Sequence, residues 1–201
     1  TLTWRPDKLI AEYSIDGVTI REEKFISRDD VLCDVITSDQ DIEIIFEGES
    51  FWDSSELPTF DGDPSGVRFS QTCESEIKFD RASNCLHLHE RGSVMAKSEW
   101  GQLATEGRGM YEGLNFLFSS NVDLLDAKWN RLKKGNMGYS FRLKIPAGKP
   151  VVLALAVSDD AKDAGARVEN EAANACRSNI EKMEWINDLL NEQIPYFRCS
   201  D

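Results

Sequence analysis

The stretch Ile10-Ala11-Glu12-Tyr13-Ser14-Ile15-Asp16-Gly17-Val18-Thr19-Ile20 decides the fold. Ala11, Tyr13 and Ile15 fall on one face of a strand, because side chains in a strand repeat every second residue. Asp16-Gly17 is a two-residue turn whose members tolerate positive φ, and Val18 and Ile20 continue the alternation on the return. The stretch reads as an antiparallel hairpin. Further short segments follow at Val31–Ile36, Ile42–Phe46, Val67–Thr72, Glu76–Phe79, Cys85–His89, Ser93–Ala96, Leu114–Phe118 and Tyr139–Ile145. Most are bounded by Gly, Asp, Asn or Ser clusters, and about a dozen strands result. Phe141-Arg142-Leu143-Lys144-Ile145 alternates strictly, so one face meets a core and the other water. Val151-Val152-Leu153-Ala154-Leu155-Ala156-Val157 is apolar throughout, as a strand covered on both faces would be. Residues 1–157 are therefore expected to form a mainly β, antiparallel sandwich.

After Val157 the texture changes. Ser158 or Asp159 is placed to cap a helix, with Asp160 and Asp163 favourable for its dipole. Ala164, Val168, Ala172, Ala175, Cys176, Ile180, Met183 and Leu190 then recur at spacings of three and four, and Pro first interrupts at Pro195. A helix of about 30 residues would be about 45 Å long, longer than a small sandwich needs as cover, so residues 158–201 read as a bridge to another body. Trp185, Ile186, Leu189, Leu190, Ile194, Tyr196 and Phe197 load its far end with apolar surface, where chain ends are usually polar. They are the expected interface with a partner domain. Docking of this helix onto its own sheet is the alternative.

Composition narrows the function. The 36 acidic residues against 23 basic ones leave a net charge of −13, which argues against nucleic acid, whose binding depends on cations neutralising phosphates. No apolar run approaches the roughly 20 residues that span a bilayer, and no secretory leader is legible at the N-terminus. Cys33, Cys73, Cys85, Cys176 and Cys199 are widely spaced and odd in number, which suits reduced thiols better than a disulfide framework or a zinc knuckle. A cytoplasmic location is the expectation, with secretion left open because a leader is removable.

Common catalytic signatures are missing: no G-x-S-x-G elbow, P-loop or H-E-x-x-H occurs. His87-Leu88-His89 puts two imidazoles on one strand face, a spacing that holds a metal only if a third ligand arrives from elsewhere; a polar strand face is the plainer reading. Asp61-Gly62-Asp63-Pro64-Ser65-Gly66 resembles the opening of a calcium loop, but position 12 is Thr72 rather than Glu, so a surface turn is favoured over a site at Asp61 and Asp63. No cofactor is implied. Phe51, Trp52 and Asp53 through Phe60 are more suggestive. Aromatic rings in a polar loop stack on the apolar face of a sugar while carboxylates accept its hydroxyl protons. Packing of the loop on its own sheet explains the same residues.

The run Gly138-Tyr139-Ser140-Phe141-Arg142-Leu143-Lys144-Ile145-Pro146-Ala147-Gly148-Lys149-Pro150, the apolar strand to Val157, then Ser158-Asp159-Asp160 and an Ala-rich helix resemble the exit from the N-terminal domain of certain glycoside hydrolases. In these enzymes a β-supersandwich is joined by a helical linker to an (α/α)6 barrel, as in trehalase-like, processing α-glucosidase-like and related six-hairpin families. Ile194-Pro195-Tyr196-Phe197-Arg198-Cys199-Ser200-Asp201 resembles the approach to the first barrel helix. The resemblance implies that the catalytic carboxylates lie in the barrel, so none is assigned within this chain. It also implies that one loop of the sandwich helps wall a carbohydrate pocket, and the Phe51–Phe60 segment is the candidate for that loop. A self-sufficient carbohydrate-binding sandwich is the competing expectation.

Overall fold

The computed structural model describes residues 1–50, 54–57, 67–98, 101–108, 113–133 and 136–193. Its strands are β1 (Leu2–Trp4), β2 (Leu9–Ile15), β3 (Val18–Ile26), β4 (Val31–Ser38), β5 (Ile42–Glu49), β6 (Ser54–Leu57), β7 (Val67–Asp80), β8 (Cys85–Ser98), β9 (Gly101–Arg108), β10 (Leu114–Ser120), β11 (Leu125–Arg131), β12 (Met137–Ile145) and β13 (Val151–Ser158). Helix α1 (Ala161–Asp188) follows, closed by a wider π-type turn at Leu189–Gln193. The protein is a mainly β, two-sheet antiparallel sandwich with a C-terminal helix. Among the described residues, no helix is long and apolar enough to cross a membrane.

The β2–β3 hairpin forms as its sequence dictates. Asp16 and Gly17 both take positive φ, 51° and 82°, and Ile15 pairs with Val18. The large sheet runs β1-β2-β3-β4-β13-β10-β8-β7-β6, with β9 on the second half of β8. The small sheet is β11-β12-β5. Two pairs of expected strands merge. Val67–Thr72 with Glu76–Phe79, and Cys85–His89 with Ser93–Ala96, become the 14-residue arms of one β7–β8 ladder. Polar residues that face the interior, Ser75 and Glu90, had made the junctions look like turns.

β13 explains the apolar run at residues 151–157. It lies between β4 and β10 in the large sheet, with the helix on one face and the small sheet on the other. Val152, Ala154 and Ala156 join Phe25, Val31, Cys33 and Val35 beneath Ala164, Val168, Ala172 and Ala175 of α1. The small side chains on both elements let the helix lie close to the sheet, where dispersion contacts are strongest. On the opposite face Val151 and Leu153 pack with Ile36, Leu86, Leu88, Phe141, Leu143 and Ile145. There Phe46 stacks on Phe141 with centroids 5.5 Å apart, and Phe118 meets both Phe141 and Tyr139. Tyr139 lies flat over Gly48, directly opposite in the β12–β5 ladder; a Cβ there would sit 2.4 Å from the tyrosine Cζ.

Two details of the helix differ from expectation. Its cap is Asp160, whose Oδ1 accepts from Lys162 N (2.8 Å) and Asp163 N (3.3 Å), because Ser158 is still in β13 and uses its own Oγ to accept from Asp160 N. The buried stripe follows Ala164, Val168, Glu171, Ala172, Ala175 and Asn179. Cys176 and Ile180, one position later, face solvent. The first turns therefore dock on the sheet, and the last ones reach the connections at its edge: Met183 Sδ lies 3.7 Å from Arg5 Nη2, and the Arg28 guanidinium sits 5.7 Å from the Trp185 ring centre.

Candidate functional site

Three places carry the expected functional residues, and they are separate. The first is the root of the aromatic loop. Phe51, Trp52, Asp53 and Phe60, together with Asp61 and Asp63, lie outside the described residues. Their N-terminal anchor is well defined. Ser50 is buried; its N–H donates to Met137 O, and its Oγ accepts from Met137 N, each at 2.8 Å. The Ser75 hydroxyl lies 2.8 Å from Ser50 Oγ and 3.3 Å from Glu90 Oε2. Asn136 Nδ2 donates to Glu49 Oε2 at 3.0 Å. Glu90 is 1% exposed and belongs to the inward face that also carries Leu86 and Leu88. Burial, and then the nearby Glu90 carboxylate, push the Tyr139 hydroxyl up from its usual range. The buried Glu90, reached by Ser75, and Asn136, which bonds Glu49, thus fix the position of Ser50 at the root of the loop. Sequence reading missed this group; the signal was Glu90 at the third place of the inward series Leu86, Leu88, Glu90.

The second place is the histidine pair. His87 Nε2 and His89 Nδ1 approach the same atom, Asn115 Oδ1, at 2.8 and 3.0 Å. Asn115 is buried, and its amide nitrogen faces three backbone carbonyls, those of Gly113 (2.7 Å), Ser158 (3.2 Å) and Asp159 (3.1 Å). Carbonyls only accept, so Nδ2 must point at them and Oδ1 at the rings. Both imidazoles must then present N–H to that oxygen. The cluster ties β8 and β10 to the junction where β13 gives way to the helix. Among the described residues, no group of three or more His, Cys, Asp or Glu is placed to hold a metal. In this arrangement one buried asparagine holds both rings.

The third place is the end of α1. Trp185 is 44% exposed, and Ile186, Leu189 and Leu190 are half-buried. Tyr196 and Phe197 lie outside the described residues. Trp185 meets a cation rather than an apolar core, and Ile180, one turn and a half earlier, is 53% exposed. In the described part of this tail, Trp185 is the residue left most open, while Ile186, Leu189 and Leu190 are partly covered.

Fold and sites together define a class: a two-sheet sandwich with a docked C-terminal helix and no recognisable catalytic constellation among the described residues. No protein-family model matches the chain, and no curated protein matches it. Among solved structures, one described as a kojibiose phosphorylase from human microbiome is similar over 90% of this chain, with 10% sequence identity and a TM-score of 0.45. The chain spans 23% of that phosphorylase's length.

Proposed function

We propose that this chain is the non-catalytic N-terminal sandwich domain of a glycoside hydrolase, residues 1–157, with residues 158–201 as the linker to an (α/α)6 catalytic domain. The observation that supports it is the C-terminal half of α1, where Ile180 and Trp185 stand about half in solvent. Exposed apolar surface on a helix end is what a second body covers. The resemblance of residues 138–160 to the sandwich exit of six-hairpin glycosidases supplies the identity of that body. In this reading Trp185, Ile186, Leu189, Leu190, Tyr196 and Phe197 form the interface. The Phe51–Phe60 loop reaches the rim of a carbohydrate pocket whose acid and base belong to the barrel. The Ser50–Ser75–Glu90 group sets that loop's departure point. No cofactor is involved.

The test begins with the gene beyond codon 201. The polypeptide it encodes is expressed separately and mixed with this chain, and hydrolysis of a panel of glucosides is followed. The expected result is no turnover by this chain alone and turnover by the mixture, with Trp185→Asp raising the concentration needed for half-maximal activity at least tenfold, about 1.4 kcal/mol of lost association. A following segment without paired helices, or a stop codon with no separate helical subunit, overturns the reading. Glycan binding by this chain alone that disappears in Trp52→Ala replaces it with a self-sufficient carbohydrate-binding module.

A further inference from the structure

The large sheet has one face under α1 and one face toward the small sheet, and the small sheet covers only part of the second. Register identifies the remainder. Leu2 and Trp4 of β1 pair with Ala11 and Leu9, which pair in turn with Glu22 and Lys24, and these with Ile36 and Asp34. Directly paired residues point the same way, so Leu2 and Trp4 share the face of Ile36, a member of the inter-sheet core. Ile15 joins them through Val18, and Ile26 and Leu32 through Leu155; Val157 continues the same alternation along β13. Trp4 is 79% exposed, Leu2 71%, and Ile15, Ile26, Leu32 and Val157 between 40% and 56%. Together these six expose about 700 Å², above the roughly 300–600 Å² of the largest patch on a typical monomer.

The charge on this face is as unusual as its area. The chain carries −13, yet here the described ionic groups are Glu22, Lys24 and Asp34, and they pair with one another. Lys24 bonds Glu22 and lies 3.3 Å from Asp34, and the Tyr13 hydroxyl donates to Glu22 at 2.6 Å.

We propose that a second copy of this chain packs on this face, sheet against sheet, about a two-fold axis. Burying about 700 Å² on each copy gives about 1,400 Å² in total, within the range of a standard specific interface. Two sheet faces meet readily about 10 Å apart. The central ions are self-complementary, since a two-fold axis that sets Lys24 of one copy, its side chain 42% exposed, beside Glu22 of the other does the same in reverse. The chain's excess negative charge lies elsewhere, so like-charge repulsion between copies is least here. Trp4, the most exposed of the six, supplies the aromatic anchor such interfaces favour. This inference is independent of the proposed hydrolase role, because α1 lies on the opposite face of the sheet.

Sedimentation equilibrium of the 201-residue chain tests it. The expected result is a species of about twice 22.7 kDa that dissociates on dilution. Trp4→Glu and, separately, Leu32→Glu should each raise the dissociation constant at least tenfold, about 1.4 kcal/mol. Far-ultraviolet circular dichroism and the melting profile of the dissociated chain should stay unchanged, since both residues are exposed. Trp185→Ser should leave the dimer intact. A chain that stays monomeric at every concentration overturns the proposal. So does a dimer indifferent to both face variants but abolished by Trp185→Ser, or a helical partner domain found to compete for Trp4 and Leu32.

Discussion

Asp34 offers a direct measurement of what burying one carboxylate does to this sandwich. It lies on β4, 9% exposed, with Oδ2 3.3 Å from Lys24 Nζ and with Oδ1 buried and lacking a hydrogen-bond partner. Burial pushes its carboxyl up to about 6, against the pull of Lys24 and with a further push from the Glu22 charge. In the unfolded chain the value returns to about 3.9. The folded protein therefore holds the proton more tightly than the unfolded one. Its stability is greatest below about pH 4 as far as this group is concerned, and it declines as pH rises through about 6. An interval of about two pH units corresponds to about 3 kcal/mol. Asp34→Asn cannot titrate, so the difference in unfolding free energy between variant and wild type should move in the variant's favour by about 3 kcal/mol between pH 3 and pH 7.5. Any fixed cost of the amide cancels in that comparison. For a chain of this size the movement equals about 6–12 °C in Tm. Urea unfolding followed by tryptophan fluorescence, at a dilution where the chain is monomeric, reads it directly. A difference that stays constant with pH, or that favours the wild type as pH rises, refutes the assignment of a buried, proton-retaining carboxyl.

Asn115→Ala removes an amide that serves two imidazoles and three carbonyls, and should lower stability by about 2–4 kcal/mol; a loss under about 1 kcal/mol in chemical denaturation would mean that the clamp is not formed. Gly48→Ala drives a methyl group into the Tyr139 ring and should cost about 1–3 kcal/mol as overpacking, most of it recovered when Tyr139→Leu is added. A melt showing no recovery in the double variant would place the strain elsewhere. Cys33 and Cys85 are buried, with thiols pushed up to about 12 and about 11 chiefly by that burial. Iodoacetamide at pH 8 should therefore alkylate the exposed Cys176 and spare both of them until the chain unfolds, as peptide mass mapping would show.

The parts of the fold legible in the sequence are those where one local signal was uncontested. Asp16-Gly17 marked the first hairpin, and the apolar run from Val151 marked a strand covered on both faces as far as Ala156, with Val157 40% exposed. Legibility failed where polar residues point inward. Ser75 and Glu90 disguised the continuity of β7 and β8, while Glu171 and Asn179 disguised the phase of α1. Asn179 donates to Glu23 at 3.3 Å, and Glu171 Oε2 lies 3.9 Å from Cys33 Sγ. Each polar group finds its partner more than 130 positions away in sequence, which no local pattern reveals. β11 was missed although Leu125, Ala127 and Trp129 alternate with Asp126, Lys128 and Asn130; it is an edge strand with a register shift between Leu125 and Lys128. The histidine clamp was half visible: the period of two put His87 and His89 together, but Asn115 comes from another strand. The loop root had one visible clue in Glu90 and needed tertiary structure to supply Ser50, Ser75 and Asn136.

The position of β13 has a consequence for biosynthesis. Among the described strands it comes last in sequence, yet it fills the gap between β4 and β10 at the middle of the large sheet. Until residues 151–158 emerge from the ribosome, the nascent chain displays two bare strand edges and a split hydrophobic layer, which is the state most prone to illegitimate pairing. Late closure by a central strand makes folding depend on non-local contacts, which form slowly. Residues 1–150 stay open to such pairing until β13 arrives to zip the two halves together.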